Sequence, residues 1–207
     1  MPRGSVQLTE NRKEEIIDAC DKLYQSMNYN EITIKEISRE TSFSRPSIYN
    51  YFETKEEIFL ALLTREYSAW ASDLQRIANE GRSGDLPSFA DRIAKSVAKR
   101  TTLLKIQAMN LYEIEDHSRL ERLVEYKKVF LHTMEAFRAC LKGSFPAMTE
   151  EEIEHLRYGF FPFMYGIYPY AFPSEKQCQA MDMVGITYTR TTVFDMVYQF
   201  IIRFLQK

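Results

Sequence analysis

Residues 33–55, TIKEISRETSFSRPSIYNYFETK, decide the fold of this 207-residue chain. Thr33, with Glu36 three positions later, gives the pattern of a capping box, which marks the start of a helix. Ile34 and Ile37 fall on one face of that helix and indicate its buried side. The segment is therefore predicted to open with a short amphipathic helix.

A second short helix is predicted after a tight turn at residues 41–43. Ser44 can cap this helix, and Pro46 lies in its first turn, where a missing N–H costs little. Thr54 and Glu57 repeat the capping-box pattern and start a longer helix. Two short helices joined by a tight turn predict a helix-turn-helix, whose second helix presents its N-terminal residues to the major groove of DNA.

The outer side of this second helix carries side chains that suit DNA. Arg45 is the one long cation among the presented residues, so it is the candidate for a guanine or a phosphate. Tyr51 and Lys55 have the reach and the donors to hold backbone phosphates. The simpler alternative is a helical hairpin with a solvated polar face. The presented residues would be Ser44, Arg45, Pro46, Ser47 and Tyr49.

These motifs resemble the DNA-binding domain of the TetR family of transcriptional regulators over residues 9–63. The likeness lies in NRKEEIIDACDKLYQSMNYNEITIKEIS and in the pattern SxxxIYxYFxxKEEIF, which is more specific than a generic helix-turn-helix. It implies a helix-turn-helix DNA-binding domain at residues 1–57 and a larger helical ligand-binding and dimerisation domain at residues 58–207. Ser42 stands where the family usually has glycine, which suggests a slightly different turn or modest strain.

The resemblance also implies nine DNA-contacting positions, in four classes. Phosphate contacts fall on Thr33, Lys35 and Lys55. Base-reading positions fall on Arg45, Pro46 and Ser47. Contacts to the DNA backbone or to base edges fall on Tyr49 and Tyr51, and Ser44 is a capping position that can also contact phosphate.

Composition narrows the class of protein. Hydrophobic residues make up 45% of the chain, which suits a sizeable core. No run reaches the roughly 18 apolar residues of a membrane-spanning helix, and the polar start predicts no secretory signal. Cys20, Cys140 and Cys178 lack metal-type spacing, so we expect reduced thiols in a cytoplasmic protein, with no metal and no cofactor.

The net charge of −2 at first argues against a nucleic-acid partner. The charges are unevenly distributed, however. Lys35, Arg39, Arg45 and Lys55 cluster around the proposed reading edge, whereas acidic residues of the opening helix lie away from it. A local positive rim can still serve a dimer on a short operator, with weaker non-specific affinity than a strongly basic protein would have.

The rest of the chain shows helical periodicity and no alternating strand pattern, so we predict an all-α protein. Residues 81–87 are rich in turn formers and would end a helix that covers about residues 55–79. Thr149 and Glu152 form a third capping box. Further helices are predicted at residues 88–100, 103–115, 118–142, 150–173, 174–185 and 189–206.

Residues 158–173 are unusually aromatic, with rings crowded around Pro162, Gly166 and Pro169. An interior proline removes a backbone hydrogen bond and bends a helix. The helix could be apolar nearly all round because it lies between the core and a dimer partner. Alternatively, the rings and the bend could leave space for an apolar or cationic small molecule. The two interpretations can hold for different faces.

Gln107, Asn110, Glu113 and His117 recur at spacings that place them on one helical face. Facing inward, they would orient a ligand; facing outward, they would form a solvated stripe, which the usual exposure of charged residues favours. Glu113 and His117 also have the spacing of a metal-ligand pair, but three or four convergent ligands are needed for a site.

We therefore predict a ligand-responsive, homodimeric DNA-binding regulator, a repressor released from a double-stranded operator by a small hydrophobic or aromatic molecule. The dimer would pair residues 189–206 with the helix from Thr149 onward. The alternatives are an all-α enzyme that uses His117 and Glu113 as an acid–base pair, and an interaction module that has lost DNA binding. The predicted ligand site is bounded by Phe89, Ile93, Leu104, Gln107, Leu111, Tyr126, Phe130, Phe161, Tyr165 and Tyr168, with Glu113 as the partner for a cationic ligand.

Overall fold

The computed structural model describes residues 3–80, 85–187 and 189–206. Residues 81–84 of the predicted break at residues 81–87 lie outside them, and a helix begins at Leu86, within the predicted break. In the described part of the chain there are helices and turns and no β-strand, which confirms the all-α prediction. The helices are α1 (Arg3–Tyr24), α2 (Ile34–Arg39), α3 (Arg45–Ile48), α4 (Lys55–Glu80), α5 (Leu86–Ala98), α6 (Thr101–Met109), α7 (Leu111–Asp116), α8 (Leu120–Ser144), α9 (Glu150–Ala171), α10 (Glu175–Met183) and α11 (Val193–Leu205), with a 3₁₀ turn at Tyr29–Glu31.

The chain forms two compact units. The first, called the N unit here, comprises Met1–Glu66 and Asn110–Val129, and the second, the C unit, comprises Tyr67–Met109 and Phe130–Lys207. The long helices α4 and α8 each begin in the N unit and end in the C unit. The predicted division between residues 57 and 58 remains a prediction.

The N unit buries one apolar side of each of its first helices. Ile16 and Cys20 of α1, Ile37 of α2, Ile48 of α3 and Phe59 of α4 are all fully buried. Each such side chain contributes about 1.5–3 kcal/mol when it leaves water. Cys20 is therefore part of the core, and burial raises the pKa of its thiol.

The predicted helix caps of the helix-turn-helix form only in part. The hydroxyl of Thr33 accepts the Glu36 backbone N–H at 3.3 Å, and the Glu36 carboxylate accepts the Thr33 hydroxyl. Ser44 makes no side-chain cap, because its hydroxyl bonds that of Ser47 at 2.9 Å. The short α3 is nonetheless favoured by proline in its first turn.

The two later capping boxes differ from each other. Thr149 and Glu152 form both reciprocal hydrogen bonds at the start of α9, which confirms that prediction. At the start of α4, the Thr54 hydroxyl accepts the Glu57 backbone N–H at 3.2 Å. The Glu57 carboxylate, however, accepts the backbone N–H of Glu53 at 2.9 Å rather than closing a box at Thr54.

One predicted helix, residues 103–115, is two helices in the structure. The chain leaves helical geometry at Asn110 (φ −141°, ψ 0°), whose side-chain oxygen accepts the Tyr24 hydroxyl at 3.1 Å. Gln107 is buried in the C unit, whereas Glu113 and His117 are exposed in the N unit. The prediction that these polar residues share one helical face was therefore wrong.

The C unit is built around α5, α6, α9 and α11, with α11 packed mainly on α5 and also on α9. The last helix begins at Val193 rather than at residue 189, because Thr192 and Asp195 form a capping box. Gly159 of α9 allows close approach, since a Cβ there would lie 3.1 Å from the Phe204 ring. The side chains buried on α5 and α11 are Phe89, Ile93, Val97, Val193, Val197 and Ile201.

Candidate nucleic-acid interface and ligand pocket

The nine predicted DNA contacts all lie in the N unit, on α2, on α3 and its flanks, and at the start of α4. None of their side chains is part of the buried core. The exposed ones are Thr33, Lys35, Ser44, Arg45, Pro46 and Tyr49, and the half-buried ones are Ser47, Tyr51 and Lys55.

Arg45 projects from the first turn of α3 and pairs with Tyr49 one turn later. Its guanidinium donates to the Tyr49 hydroxyl at 3.2 Å and lies 5.9 Å from the centre of the ring. Both residues are exposed, so their mutual contact is weak and both side chains can change conformation when a partner such as DNA binds. A guanidinium on the first turn of a recognition helix can hold guanine or phosphate with two parallel hydrogen bonds.

Tyr51 is oriented by a residue that the sequence did not single out. Arg12 of α1 donates to the Tyr51 hydroxyl at 3.1 Å and lies over the Phe43 ring at 5.8 Å. The Tyr51 hydroxyl can still donate to an acceptor such as a phosphate oxygen. No local pattern could reveal Arg12, because the contact spans 39 positions of the chain.

Lys55 is anchored at the start of α4. Its ammonium group donates to the Tyr29 carbonyl at 3.0 Å and lies 3.9 Å from the centre of the Tyr29 ring. The Tyr29 hydroxyl donates to Glu56 at 2.9 Å, and burial, with the Glu56 charge, raises the pKa of Tyr29. An ammonium group has three donors, so Lys55 can still reach a phosphate.

The turn before α3 is held from α1. The backbone N–H of Ser42 donates to the Glu15 carboxylate at 2.6 Å. This hydrogen bond lowers the pKa of Glu15, so the carboxylate is charged at neutral pH. The contact fixes the residue that stands at the usual glycine position and thereby supports α3.

The C unit contains an open, mostly apolar pocket of about 460 Å³ between residues of α8 and α9. It brings together three of the predicted ligand residues, Phe130, Phe161 and Tyr165. The Phe130 and Phe161 rings meet edge to face, with centroids 5.6 Å apart. The pocket is lined by Phe130, Met134, Arg157, Tyr158, Phe161, Pro162 and Tyr165.

The other predicted ligand residues do not line this pocket. Tyr168 lies farther along α9, where its ring packs on Phe172 at 4.9 Å. Leu111 and Tyr126 belong to the N unit, as does Glu113, the expected partner for a cation. Phe89, Ile93 and Leu104 are fully buried side chains of the C unit.

Gln107 places a polar group inside the apolar C unit. Its side-chain amide donates to the Tyr67 hydroxyl, while its Oε1 has no hydrogen-bond partner among the described residues. The Tyr67 ring lies edge-on to Phe130, with centroids 5.2 Å apart. A buried, unsatisfied acceptor is costly, so it needs a partner such as a ligand or water.

Arg157 supplies the charge at the pocket. Its guanidinium pairs with Glu154 and, at 3.5 Å, with Glu135, and it lies 5.8 Å from the centre of the Tyr158 ring. Tyr158 is 72% exposed, so the aromatic rim is accessible. The pocket therefore combines stackable rings with a cation that could turn to an anionic group.

A second apolar cavity, of about 560 Å³, lies elsewhere in the C unit, and none of the predicted ligand-site residues lines it. It is lined by Leu86, Ser144, Phe145, Pro146, Ala147, Met148, Glu152, His155, Phe204 and Leu205. In the proposed acid–base pair, the ring Nδ1 of His117 lies 2.9 Å from the backbone carbonyl of Glu113, and both side chains are exposed. Within the described residues, none of the helices is long and apolar enough to cross a membrane.

These features define a helical protein with an exposed reading helix and a separate pocket-bearing unit. The family described as bacterial regulatory proteins, tetR family, matches residues 16–62, and the family described as tetracyclin repressor-like, C-terminal domain, matches residues 64–206. The chain therefore belongs to the TetR family of transcriptional regulators, and the resemblance seen in the sequence is confirmed.

Individual relatives are more distant. HbdR of Aromatoleum sp. (strain CIB) is 29% identical over 150 residues, which cover 67% of this chain and 61% of the relative. YuxN of Bacillus subtilis (strain 168) is 31% identical over 83 residues, which cover 40% of this chain and 28% of the relative. Both are HTH-type transcriptional regulators, and the chain spans less than two thirds of either.

Among solved structures, FadR of Bacillus subtilis in complex with stearoyl-CoA superposes with a TM-score of 0.62 at 13% identity. The superposition covers 93% of this chain and 97% of the other. At this identity the likeness concerns the fold alone.

Proposed function

We propose that this TetR-family regulator is a homodimeric repressor that leaves its operator when a hydrophobic small molecule binds in the pocket lined by Phe130, Phe161 and Tyr165. The observation that carries the DNA half of the proposal is the exposed Arg45–Tyr49 pair on the first turn of α3. In a helix-turn-helix this is the part of the recognition helix that meets base edges.

The nine proposed DNA contacts would have the roles that the family resemblance implies. Arg45, Pro46 and Ser47 would face bases, and Thr33, Lys35 and Lys55 would hold phosphates and fix register. Tyr49 and Tyr51 would contact the DNA backbone or base edges, and Ser44 could contact phosphate. Arg12 joins this set as the residue that orients Tyr51. Two recognition helices of a dimer would meet major grooves about 34–36 Å apart, or somewhat more.

A homodimer through α9 and α11 is supported by apolar surface left on both helices. Val193, Val197 and Ile201 of α11 are buried within their own chain. Phe200 is half-buried and Phe204 is exposed, and both belong to the same apolar side of the helix. Phe200 stacks on Phe163 of α9 at 4.3 Å, which continues the apolar surface onto the second helix. Two copies of this helix pair would bury it in a four-helix arrangement.

A ligand with an apolar chain and an anionic group suits the pocket. The aromatic lining would take the chain, and Arg157 is the cation that could meet the anion. The structurally similar FadR binds stearoyl-CoA, a molecule of this chemistry, so a long-chain acyl-CoA is the first effector to test. The ligand would act only through its different affinity for the DNA-bound and DNA-free arrangements.

The experiment has two stages. A duplex is first selected from a random pool by the purified protein, and its affinity is measured by fluorescence anisotropy with and without stearoyl-CoA. We expect the effector to weaken duplex binding about 5- to 150-fold, the usual range of allosteric coupling. Arg157→Gln and Tyr165→Ala should reduce this response and leave duplex affinity without effector nearly unchanged.

Arg76→Gln is the matched control, because Arg76 pairs with Asp73 on the surface of the C unit and does not line the pocket. It should respond to stearoyl-CoA like the unaltered protein. A protein that selects no duplex would refute the DNA-binding proposal. A protein that binds its duplex but ignores stearoyl-CoA would refute only this effector class.

A further inference from the structure

An ion pair joins the start of α4 to the residue before α8, with its carboxylate buried and its guanidinium partly exposed. The Glu57 side chain is fully buried, and the guanidinium of Arg119 grips it with two hydrogen bonds. Arg119 Nε donates to Oε1 at 2.5 Å, and a terminal nitrogen donates to Oε2 at 2.8 Å. This two-pronged geometry is the strongest and most directional form of a side-chain ion pair.

Backbone groups complete the Glu57 site. The N–H of Glu53 donates to Oε2 at 2.9 Å, and the N–H of Arg119 donates to Oε1 at 3.3 Å. Burial by itself would raise the pKa of Glu57, but the hydrogen bonds from Arg119 and from these two backbone groups outweigh it and lower the pKa. The carboxylate is therefore charged at neutral pH, and its hydrogen-bonding capacity is filled.

Two neighbouring contacts strengthen the same junction. Arg122, in the first turn of α8, donates to the Tyr51 carbonyl at 3.2 Å. The Thr54 hydroxyl donates to the His117 carbonyl at 3.2 Å. Residues 51–57 are thus held to residues 117–122 at three points, all within the N unit. We call these three contacts the Glu57–Arg119 clamp.

The clamp lies where a ligand signal would have to pass. Residues 51–57 carry Tyr51 and Lys55, two of the proposed phosphate contacts. The uninterrupted helix α8 continues from the clamp to Phe130 and Met134, which line the ligand pocket. Helix α8 therefore carries pocket-lining residues and, near its start, the contacts that hold residues 51–57.

We infer that the Glu57–Arg119 clamp couples the ligand pocket to DNA binding: it makes the start of α4, and with it Tyr51 and Lys55, follow any displacement of α8. This inference rests on the proposed function. An ion pair with a solvent-exposed partner usually contributes little to stability, so stability alone does not account for it. A planar, two-pronged pair does fix the relative orientation of two helix starts, which apolar packing does not.

Arg119→Lys tests the clamp because lysine keeps the charge but cannot bond both oxygens in this fixed geometry. Arg76→Gln, which breaks the surface pair with Asp73, is again the control. Duplex affinity is measured with and without stearoyl-CoA, and effector affinity without DNA is measured by calorimetry. We expect Arg119→Lys to bind stearoyl-CoA with unchanged affinity. The effect of stearoyl-CoA on duplex affinity should be at least about fivefold smaller in this variant than in the unaltered protein.

A second measurement needs no effector. Trp70, the single tryptophan, is buried in the C unit, so its fluorescence reports events there. Because coupling is reciprocal, duplex binding should change Trp70 emission in the unaltered protein and in the control. The change should be smaller in Arg119→Lys, in which α4 itself still joins Lys55 to Trp70. Circular dichroism of each variant verifies that it is folded.

The outcomes separate the two proposals. If stearoyl-CoA has no effect on the unaltered protein while duplex binding still changes Trp70 emission, the effector class fails and the clamp is tested by emission alone. A full duplex-induced change in folded Arg119→Lys would overturn the clamp, as would a duplex that binds the unaltered protein without any change in emission.

Discussion

Replacing Arg45 with alanine tests the assignment of α3 as the reading helix. In the free protein the Arg45 guanidinium contacts the exposed Tyr49. It donates one hydrogen bond of 3.2 Å to the Tyr49 hydroxyl and lies 5.9 Å from the centre of the Tyr49 ring. Releasing an exposed cation–π contact costs about 0.5–1 kcal/mol, whereas a two-pronged pair with guanine is worth about 1–3 kcal/mol of discrimination. We expect Arg45→Ala to lose about 1–3 kcal/mol per half-site, and to relax base preference at one position.

Lys55→Ala should behave differently, because an ammonium group on phosphate does not distinguish bases. Losing one phosphate contact in each half-site of a dimer lowers the salt slope by about 1.8 in all. Between 50 and 200 mM salt, the affinity of the unaltered protein should therefore fall roughly tenfold more than that of Lys55→Ala. The loss should be similar for the selected duplex and for random DNA.

The assay is fluorescence anisotropy of the selected duplex, of single-base variants and of a random duplex, each at several salt concentrations. Lys127→Ala is the matched control, since Lys127 is an exposed cation of the same unit that pairs with Glu115 at 2.6 Å and lies outside the proposed reading edge. It should change the slope less than Lys55→Ala does. Equal, salt-insensitive affinity of the Arg45 and Lys55 variants and the unaltered protein would refute the assignment of both residues.

Two further predictions concern assembly and stability. Phe204→Glu places a charge on the exposed apolar surface of α11 and should shift the dimer towards monomer by light scattering, whereas Tyr112→Glu, at an exposed tyrosine of the N unit, should not; dimers that persist in both variants would contradict the proposed interface. Ser96→Ala leaves the buried indole N–H of Trp70 without its acceptor at 3.0 Å and should cost about 1–3 kcal/mol in urea unfolding. Ser72→Ala, at an exposed hydroxyl, should cost much less, and equal losses would show that the indole hydrogen bond contributes nothing measurable.

Local signals predicted the helix-turn-helix and the start of α9 well. Thr149 and Glu152 lie three positions apart, so the cap depends on the chain's own neighbours and needs no tertiary contact. The same residue types misled at the start of α4. Glu57 has capping-box spacing from Thr54, but its carboxylate is used by Arg119, which lies 62 positions away. Sequence spacing carries no information on such a partner.

The break at Asn110 was missed for a related reason. Apolar periodicity continues across residues 103–115, so the pattern favours one helix. The structure ends α6 at Met109, and Asn110 bonds Tyr24 of α1, 86 positions earlier. A tertiary contact here outweighs a local preference of a few tenths of a kcal/mol per residue. Gln107 was consequently grouped with residues that the fold places in the other unit.

The predicted ligand set was partly dispersed because helical spacing indicates that a face is apolar, but not which neighbour covers it. Phe89 and Ile93 have the same periodicity as pocket residues, yet their helix packs against α11. On α11, residues 189–206 were predicted to pair with a second copy, and Val197 and Ile201 of this helix are already buried within the chain. What remains exposed is a narrower surface centred on Phe200 and Phe204.

The aromatic helix α9 shows why two interpretations of one sequence can both hold. Successive residues of a helix point about 100° apart, so its rings divide among different neighbours. Phe160 and Met164 are buried in the core, and Phe161 and Tyr165 line the pocket. Phe163 stacks on Phe200 of α11, on the surface proposed for the partner subunit. If residues 158–171 of α9 contact the core, the proposed ligand and the proposed partner, that part of the helix has no face left to be polar, which accounts for its weak amphipathicity.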